Sequence, residues 1–159
     1  MIEFNAHPDC TRCPLYQSAT NPGLPTRPLS AHQPVIWPRA ILFVGQSPGH
    51  NEDKSTDENP HGKSFIGWTG GVLTRFIDAA QLQDYADIFL ANSCRCKPPQ
   101  DADESQAQIR KCRDYLIEDV AKLQTIYEEV IIVNLGAKAV YATLHLSSLN
   151  EALKKQATF

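Results

Sequence analysis

Three stretches constrain the fold more than anything else in the chain: Ala40–Val44 (AILFV), Asp87–Ala91 (DIFLA) and Val130–Leu135 (VIIVNL). Each is short, apolar almost throughout, and rich in β-branched or aromatic residues. A strand that reads as continuously apolar rather than alternating is covered on both faces, which points to a parallel sheet between layers of helices. The segments between these runs carry helical periodicity. Val72, Leu73, Phe76, Ile77 and Ala80 fall at helical spacing within Trp68–Ala80. Ser105 has the character of an N-cap, and Ile109, Cys112, Leu116, Val120, Leu123 and Tyr127 follow it at spacings of three and four. That puts Cys112 on an inward stripe while Arg110, Lys111 and Arg113 radiate outward. A helix over Ala137–Leu144 follows the third strand, and a last short one is predicted over Leu149–Gln156. The alternation predicts a three-layer α/β/α domain with a small, mainly parallel sheet.

A chain of 159 residues, 42% hydrophobic, has the material for one such core, so residues 1–159 are read as a single domain. Prolines at 8, 14, 22, 25, 28, 34 and 38 make residues 1–39 an irregular arm lying over an α/β core of 40–144, with 145–159 as a tail. His50–Lys63 is polar and acidic and is expected to be a mobile, solvated loop. Ile2–Cys10 is polar and interrupted by Pro8, unlike a secretory leader, and no apolar run approaches the ~20 residues of a membrane span. A soluble, cytoplasmic monomer is the expectation. Five cysteines in a reducing compartment then argue for metal or redox chemistry over disulfides.

Four of those thiols have ligand spacing. Cys10-Thr-Arg-Cys13 is a close pair on a tight turn; Cys96 and Cys112 come much later, separated by fifteen residues. Four thiolates suit either a zinc ion or an iron–sulfur cluster, and zinc ribbons usually use two close pairs, so the spacing leans toward the cluster. Cys94 is a spare that could compete as a ligand. As a lone residue, Cys112 reads equally well as a small thiol filling a core gap. Around Cys96 and Cys112 stand Arg95, Lys97, Arg110, Lys111 and Arg113, one third of the 15 basic residues of a chain whose net charge is −3. They would screen a negative cluster or meet phosphates.

The glycine-rich loop Gly45-Gln46-Ser47-Pro48-Gly49 follows the first strand, at the sheet edge where parallel α/β domains bind ligands; a connection without function explains the pentapeptide about as well. Phe65, in a loop with glycines on either side, reads as a stacking platform or as a core plug. Asn92 ends the second strand, a common place for a ligand-reading amide.

Taken together, these pieces resemble a known family. Cys10–Leu15 (CTRCPL), Ile41–Asp53 (ILFVGQSPGHNED), Gly62–Leu73 (GKSFIGWTGGVL), Leu90–Pro99 (LANSCRCKPP), Ile109–Cys112 (IRKC) and Val130–Ala139 (VIIVNLGAKA) occur in the order of the iron–sulfur uracil-DNA glycosylases, the family-4 branch of the uracil-DNA glycosylase superfamily. The resemblance covers nearly the whole chain. It implies a [4Fe–4S] cluster held by Cys10, Cys13, Cys96 and Cys112, with Cys94 outside the ligand set and zinc as the alternative metal. It implies that Phe65 stacks on a flipped uracil, that Asn92 hydrogen-bonds its polar edge, and that Gly45, Ser47, Pro48 and Gly49 line the water side of the base. DNA containing uracil, single- or double-stranded, becomes the expected partner, with Arg95, Lys97, Arg110 and Lys111 on its phosphates.

Two departures from the family pattern bear on the chemistry. The family carries a glutamate after the first glycine of its glycine-rich motif, where this chain has Gln46; the related GQDPY branch pairs its Gln with an aspartate, where this chain has Ser47. A Gln orients water but cannot take its proton, which makes Glu52 or Asp53 the candidate substitute carboxylate and puts Gln46 and Glu52 forward as the catalytic pair. Family members also continue to a further strand and a His-Pro-Ser motif whose histidine donates to the developing uracil oxyanion; no such motif occurs through Phe159, and His145 stands in a Leu-His-Leu context. Two function classes follow: a uracil-DNA glycosylase, or a catalytically weak or inactive member of the fold that binds nucleic acid or a protein partner.

Overall fold

The computed structural model describes residues 2–30, 35–58 and 60–144. Its centre is a sheet of four strands in the order β1-β3-β2-β4: β1 (Arg27–Pro28), β2 (Arg39–Gly45), β3 (Asp87–Asn92) and β4 (Glu129–Asn134). β2 pairs in parallel with both β3 and β4, while β1 runs antiparallel to β3. The three apolar runs are therefore the three parallel strands. The helices are a single turn α1 (His50–Asp53), α2 (Trp68–Ala79), α3 (Gln106–Gln124) and α4 (Ala137–Leu144).

Side-chain alternation along the strands divides the core into two layers, because successive Cβ atoms point to opposite faces. Ala40, Leu42, Val44, Phe89 and Ala91 pack with Ile109, Leu116, Val120 and Leu123 of α3 and with Ala139 and Ala142 of α4. On the other face Ile41, Phe43, Ile88 and Leu90 pack with Ile77 of α2 and with Phe65. This is the three-layer α/β/α arrangement expected. α3 starts on the expected cap: Gln108 N–H donates to Ser105 Oγ at 3.2 Å and Ser105 N–H to Gln108 Oε1 at 2.7 Å, a reciprocal capping box.

The structure corrects three expectations of detail. The arm is not wholly irregular: it turns once at Pro14–Gln17 and adds β1 to the sheet edge. His50–Lys63 is not simply a solvated loop, because α1 buries both Glu52 and Asp53. Asp53 is held there by the arm, its carboxylate accepting from Thr20 N–H at 2.8 Å and Asn21 N–H at 2.9 Å. Third, Phe76 is 61% exposed and Val72 is exposed too, so α2 buries only part of its apolar spacing. The predicted helix over 149–156 lies outside the described residues. Among the described residues no helix is long and apolar enough to cross a membrane.

Candidate active site

The chain leaves β2, adds β3 on one side of it, and then returns to add β4 on the other. Strand order thus reverses at β2, and in open α/β sheets the crevice beyond the carboxyl end of such a strand is where ligands bind. The residues found there are those of the glycine-rich loop. Gly45 and Asn92 are register partners on β2 and β3, the last pair of the ladder. A Cβ on Gly45 would stand 2.7 Å from Asn92 Oδ1 and 2.8 Å from Phe65 Cζ, so only a glycine lets the three residues meet. The sharp bend after β3 is fixed to the same loop: Ser93 N–H and Oγ–H both donate to Gly45 C=O, and Cys94 N–H donates to Gln46 C=O.

Phe65 is buried and has φ +59°, in the left-handed region that non-glycine residues rarely occupy. Two residues that the sequence did not flag hold it there. Arg27 of β1 donates from Nε to Ser64 C=O at 2.6 Å and from Nη2 to Phe65 C=O at 3.3 Å. Gly70, in the first turn of α2, lets that helix approach so closely that a Cβ would fall 2.2 Å from Phe65 O. Burial pulls the Arg27 pKa down and the Glu52 carboxylate nearby pushes it up. Glu52 itself accepts from Gly49 N–H at 3.3 Å, between the glycine-rich loop and Gly67. Phe65 thus belongs to the core cluster and also flanks Gly45 and Asn92.

Asn92 is 8% exposed, and its side-chain nitrogen is buried with no hydrogen-bond partner among the described residues. Gln46 gives its amide nitrogen to the loop ahead of α3, donating from Nε2 to Glu104 Oε2 at 2.7 Å and to Asp103 Oδ1 at 3.2 Å. Glu104 was not a sequence candidate; it lies among acids just ahead of α3, yet it is 1% exposed.

On the arm side of the sheet all five cysteines are free thiols. Cys94, Cys96 and Cys112 are buried and pack in one cluster with half-buried Cys13. Contact with the Cys112 thiol, followed by burial, drives the Cys13 pKa far above the ordinary thiol range. Burial pushes Cys96 up to about 11, with further repulsion from Cys10 and Cys13. Cys112 reaches about 12: its contact with Cys13 lowers it, but the Cys94 contact and burial outweigh that. Gly23 N–H donates to Cys96 Sγ at 3.4 Å. Among the described residues no three His, Cys, Asp or Glu side chains stand together at the spacing of a single-ion site.

The cations divide. Arg95 is 3% exposed and donates from Nη2 to Asp119 and to Tyr115 C=O, and from Nη1 to Asn5 C=O. It is an internal strut, which removes it from the expected set of phosphate contacts. Lys97 is half-buried, with Nζ donating to Pro98 C=O at 3.1 Å. Arg110 and Lys111 are exposed, and with Arg12, Ala107 and Asp114 they line a groove of about 460 Å³.

The fold and site define a doubly wound α/β domain in which an aromatic ring and a buried amide meet at the topological switch point, with a cluster of thiols packed against the arm. The profile of the Uracil DNA glycosylase superfamily matches residues 38–158, and the chain belongs to that superfamily. It is 33% identical to a Type-4 uracil-DNA glycosylase of Sulfurisphaera tokodaii, over 80% of this chain and 50% of the relative. It is 30% identical to one of Archaeoglobus fulgidus, over 77% of this chain and 53% of the relative. It is 29% identical to one of Thermotoga maritima, over 82% of this chain and 58% of the relative. The chain spans about half the length of these curated relatives.

Proposed function

We propose that this chain excises uracil from DNA by hydrolysing its N-glycosidic bond. The observation that carries the reading is the Asn92 amide, buried without a partner for its nitrogen and set beside Gly45 and the Phe65 ring. A buried donor left unmet costs ~1–3 kcal/mol, and a carbonyl oxygen on a pyrimidine edge would meet it. A base lacking that acceptor would leave the amide orphaned, which is how such a pocket discriminates. The base must first leave the stack, at a cost of a few kcal/mol, and Phe65 offers it a new stacking face. The names of the Type-4 relatives support the same activity.

Breaking the bond builds positive charge on the deoxyribose and negative charge on the departing uracil. A carboxylate near the sugar and donors near the uracil oxygens therefore lower the barrier. In this reading Gln46 and Glu52 stand on the water side, with Ser47, Pro48 and Gly49 lining it. Lys97, Arg110 and Lys111 supply the basic face for phosphates.

An all-thiol donor set suits zinc or iron–sulfur chemistry. Cys10, Cys13, Cys96 and Cys112 would hold a [4Fe–4S] cluster, in which each iron takes one thiolate and the four sulfurs need not converge on one ion. Bound there, the cluster would supply a structural crosslink between the arm, the bend after β3 and α3.

Uracil-containing single-stranded DNA treated with the protein and then with alkali should break at the uracil, and Asn92→Ala should slow this by ~10²-fold or more. Intact strands at enzyme excess would overturn the activity. Undiminished cleavage by Asn92→Ala would overturn the pocket.

A further inference from the structure

We infer that Glu104 is the positioning residue for the attacking water, acting through Gln46. This rests on the excision reading above and adds to it a carboxylate that neither the loop sequence nor its neighbours suggest.

Three observations combine. First, an amide that faces two carboxylates can present only its nitrogen to them. With Nε2 donating to Glu104 Oε2 at 2.7 Å and to Asp103 Oδ1 at 3.2 Å, the orientation of the Gln46 amide is fixed by chemistry. Its Oε1, an acceptor only, is thereby turned away from the acids, in the residue that directly follows Gly45 of the crevice. Second, Glu104 is 1% exposed, yet its Oε1 has no hydrogen-bond partner among the described residues. A carboxylate buried with half its accepting capacity unmet is costly, and such a group calls for a functional account. Third, Glu104 is held in place independently of Gln46. Lys138 Nζ donates to its backbone oxygen at 2.6 Å, and the next residue, Ser105, is the N-cap of α3. The acid is thus anchored to two helices and reaches across to the glycine-rich loop.

The division of labour follows. Glu104 orients Gln46, and Gln46 Oε1 accepts a hydrogen bond from water aimed at the sugar. The C1′–N1 bond breaks with its electron pair going to uracil. The water oxygen supplies the pair for the new C1′–O bond, its released proton passes to solvent, and the uracil anion takes one up. The Glu104 charge, conveyed through the polarised amide, favours the cationic sugar over the neutral ground state. The motif position that holds a carboxylate in the resembling family holds an amide here, and the carboxylate stands one hydrogen bond behind it.

The test is a mutant cycle on the intact chain, read as steady-state excision from uracil-containing single-stranded DNA. Glu104→Ala should lower kcat by ~10²-fold with KM changed less than ~3-fold, since misplacing a reactant by about an ångström costs that much. Gln46→Ala should cost a similar factor, and the double alanine variant little more than either single one. The exchange Q46E/E104Q keeps one amide and one carboxylate in contact and should recover at least ~10-fold over Glu104→Ala. Should Glu104→Ala fail to fold, the near-isosteric Glu104→Gln and the exchange variant carry the comparison. Full kcat in the Glu104 variants, or an exchange no better than its single members, overturns the inference while leaving the excision reading intact. A wild-type chain that excises no uracil overturns both.

Discussion

Gly45 and Asn92 close the β2–β3 ladder so tightly that a methyl group on the glycine would stand 2.7 Å from the asparagine's Oδ1. The same methyl would press on the Phe65 ring at 2.8 Å. Gly45→Ala should therefore spread the crevice rather than unfold the sheet. Excision is expected to fall by ~10²-fold, the penalty for about an ångström of misplacement, while the thermal midpoint drops by only a few degrees. Calorimetry beside the excision assay separates the two effects.

Phe65 offers a different kind of check. Stacking of a base on an aromatic ring is worth roughly 1–3 kcal/mol, so Phe65→Ala should weaken binding of uracil-containing single-stranded DNA by ~5- to 150-fold. Phe65→Tyr keeps the face and should retain most of the affinity. Equal losses in both variants would assign the ring to core packing alone.

Arg95 and Asp119 form a buried pair, closed further by the Thr26 hydroxyl donating to Asp119. Removing one partner strands the other's charge, so Asp119→Ala should cost ~3–5 kcal/mol in urea unfolding, and Asp119→Asn clearly less. The pH dependence has a defined sign. Burial raises the Asp119 pKa, against the pull of Arg95 and the Thr26 hydrogen bond. A carboxyl that holds its proton more tightly when folded contributes stability that is present below its unfolded pKa and is lost as pH rises through its folded pKa. Any lead of the wild type over Asp119→Asn should thus be greatest at acid pH, below the ordinary carboxylate range, and shrink as pH rises through the raised folded pKa.

The thiol assignment is open to colour and analysis. Anaerobically purified protein should be brown, with iron and sulfide in equal amounts, and Cys13→Ala and Cys96→Ala should lose both. Cys94→Ala should keep them under the proposed assignment, which leaves Cys94 out of the ligand set although its thiol contacts Cys112. Colourless protein carrying zinc would replace the cluster by the alternative metal.

The parallel strands and α3 were legible in the sequence because continuous apolar runs and a stripe at spacings of three and four leave few other ways to bury those side chains. The position of Asn92 and Gly45 at the strand ends was legible for a related reason, since each follows directly on an apolar run. What stayed hidden depended on partners distant in sequence. Arg95 reads as a surface cation until Asp119, one helix later, comes round to meet it. Glu104 sits among acids with no apolar neighbour in sequence to mark it as buried, and the approach of Gln46 and Lys138 is visible only in the fold. Arg27, in a two-residue strand beside proline, gives no local signal that it holds the Phe65 carbonyl. Phe76 follows the helical spacing of α2 yet faces outward, because the layer beneath is filled by Ile77 and Phe65.

The arm carries one more consequence. His7 N–H bonds to Gly23 C=O at 3.0 Å, closing a loop that contains Cys10 and Cys13, and Leu24 N–H bonds to Arg95 C=O at 2.8 Å just before Arg27 reaches the Phe65 carbonyl. One short run of chain therefore carries two of the thiols near one end and, at the other, the guanidinium that holds the Phe65 carbonyl. The thiols and the aromatic ring are thus tied to one stretch of backbone, so oxidation of Cys10 or Cys13 that loosened the arm would be expected to loosen Arg27 and, with it, the backbone of Phe65.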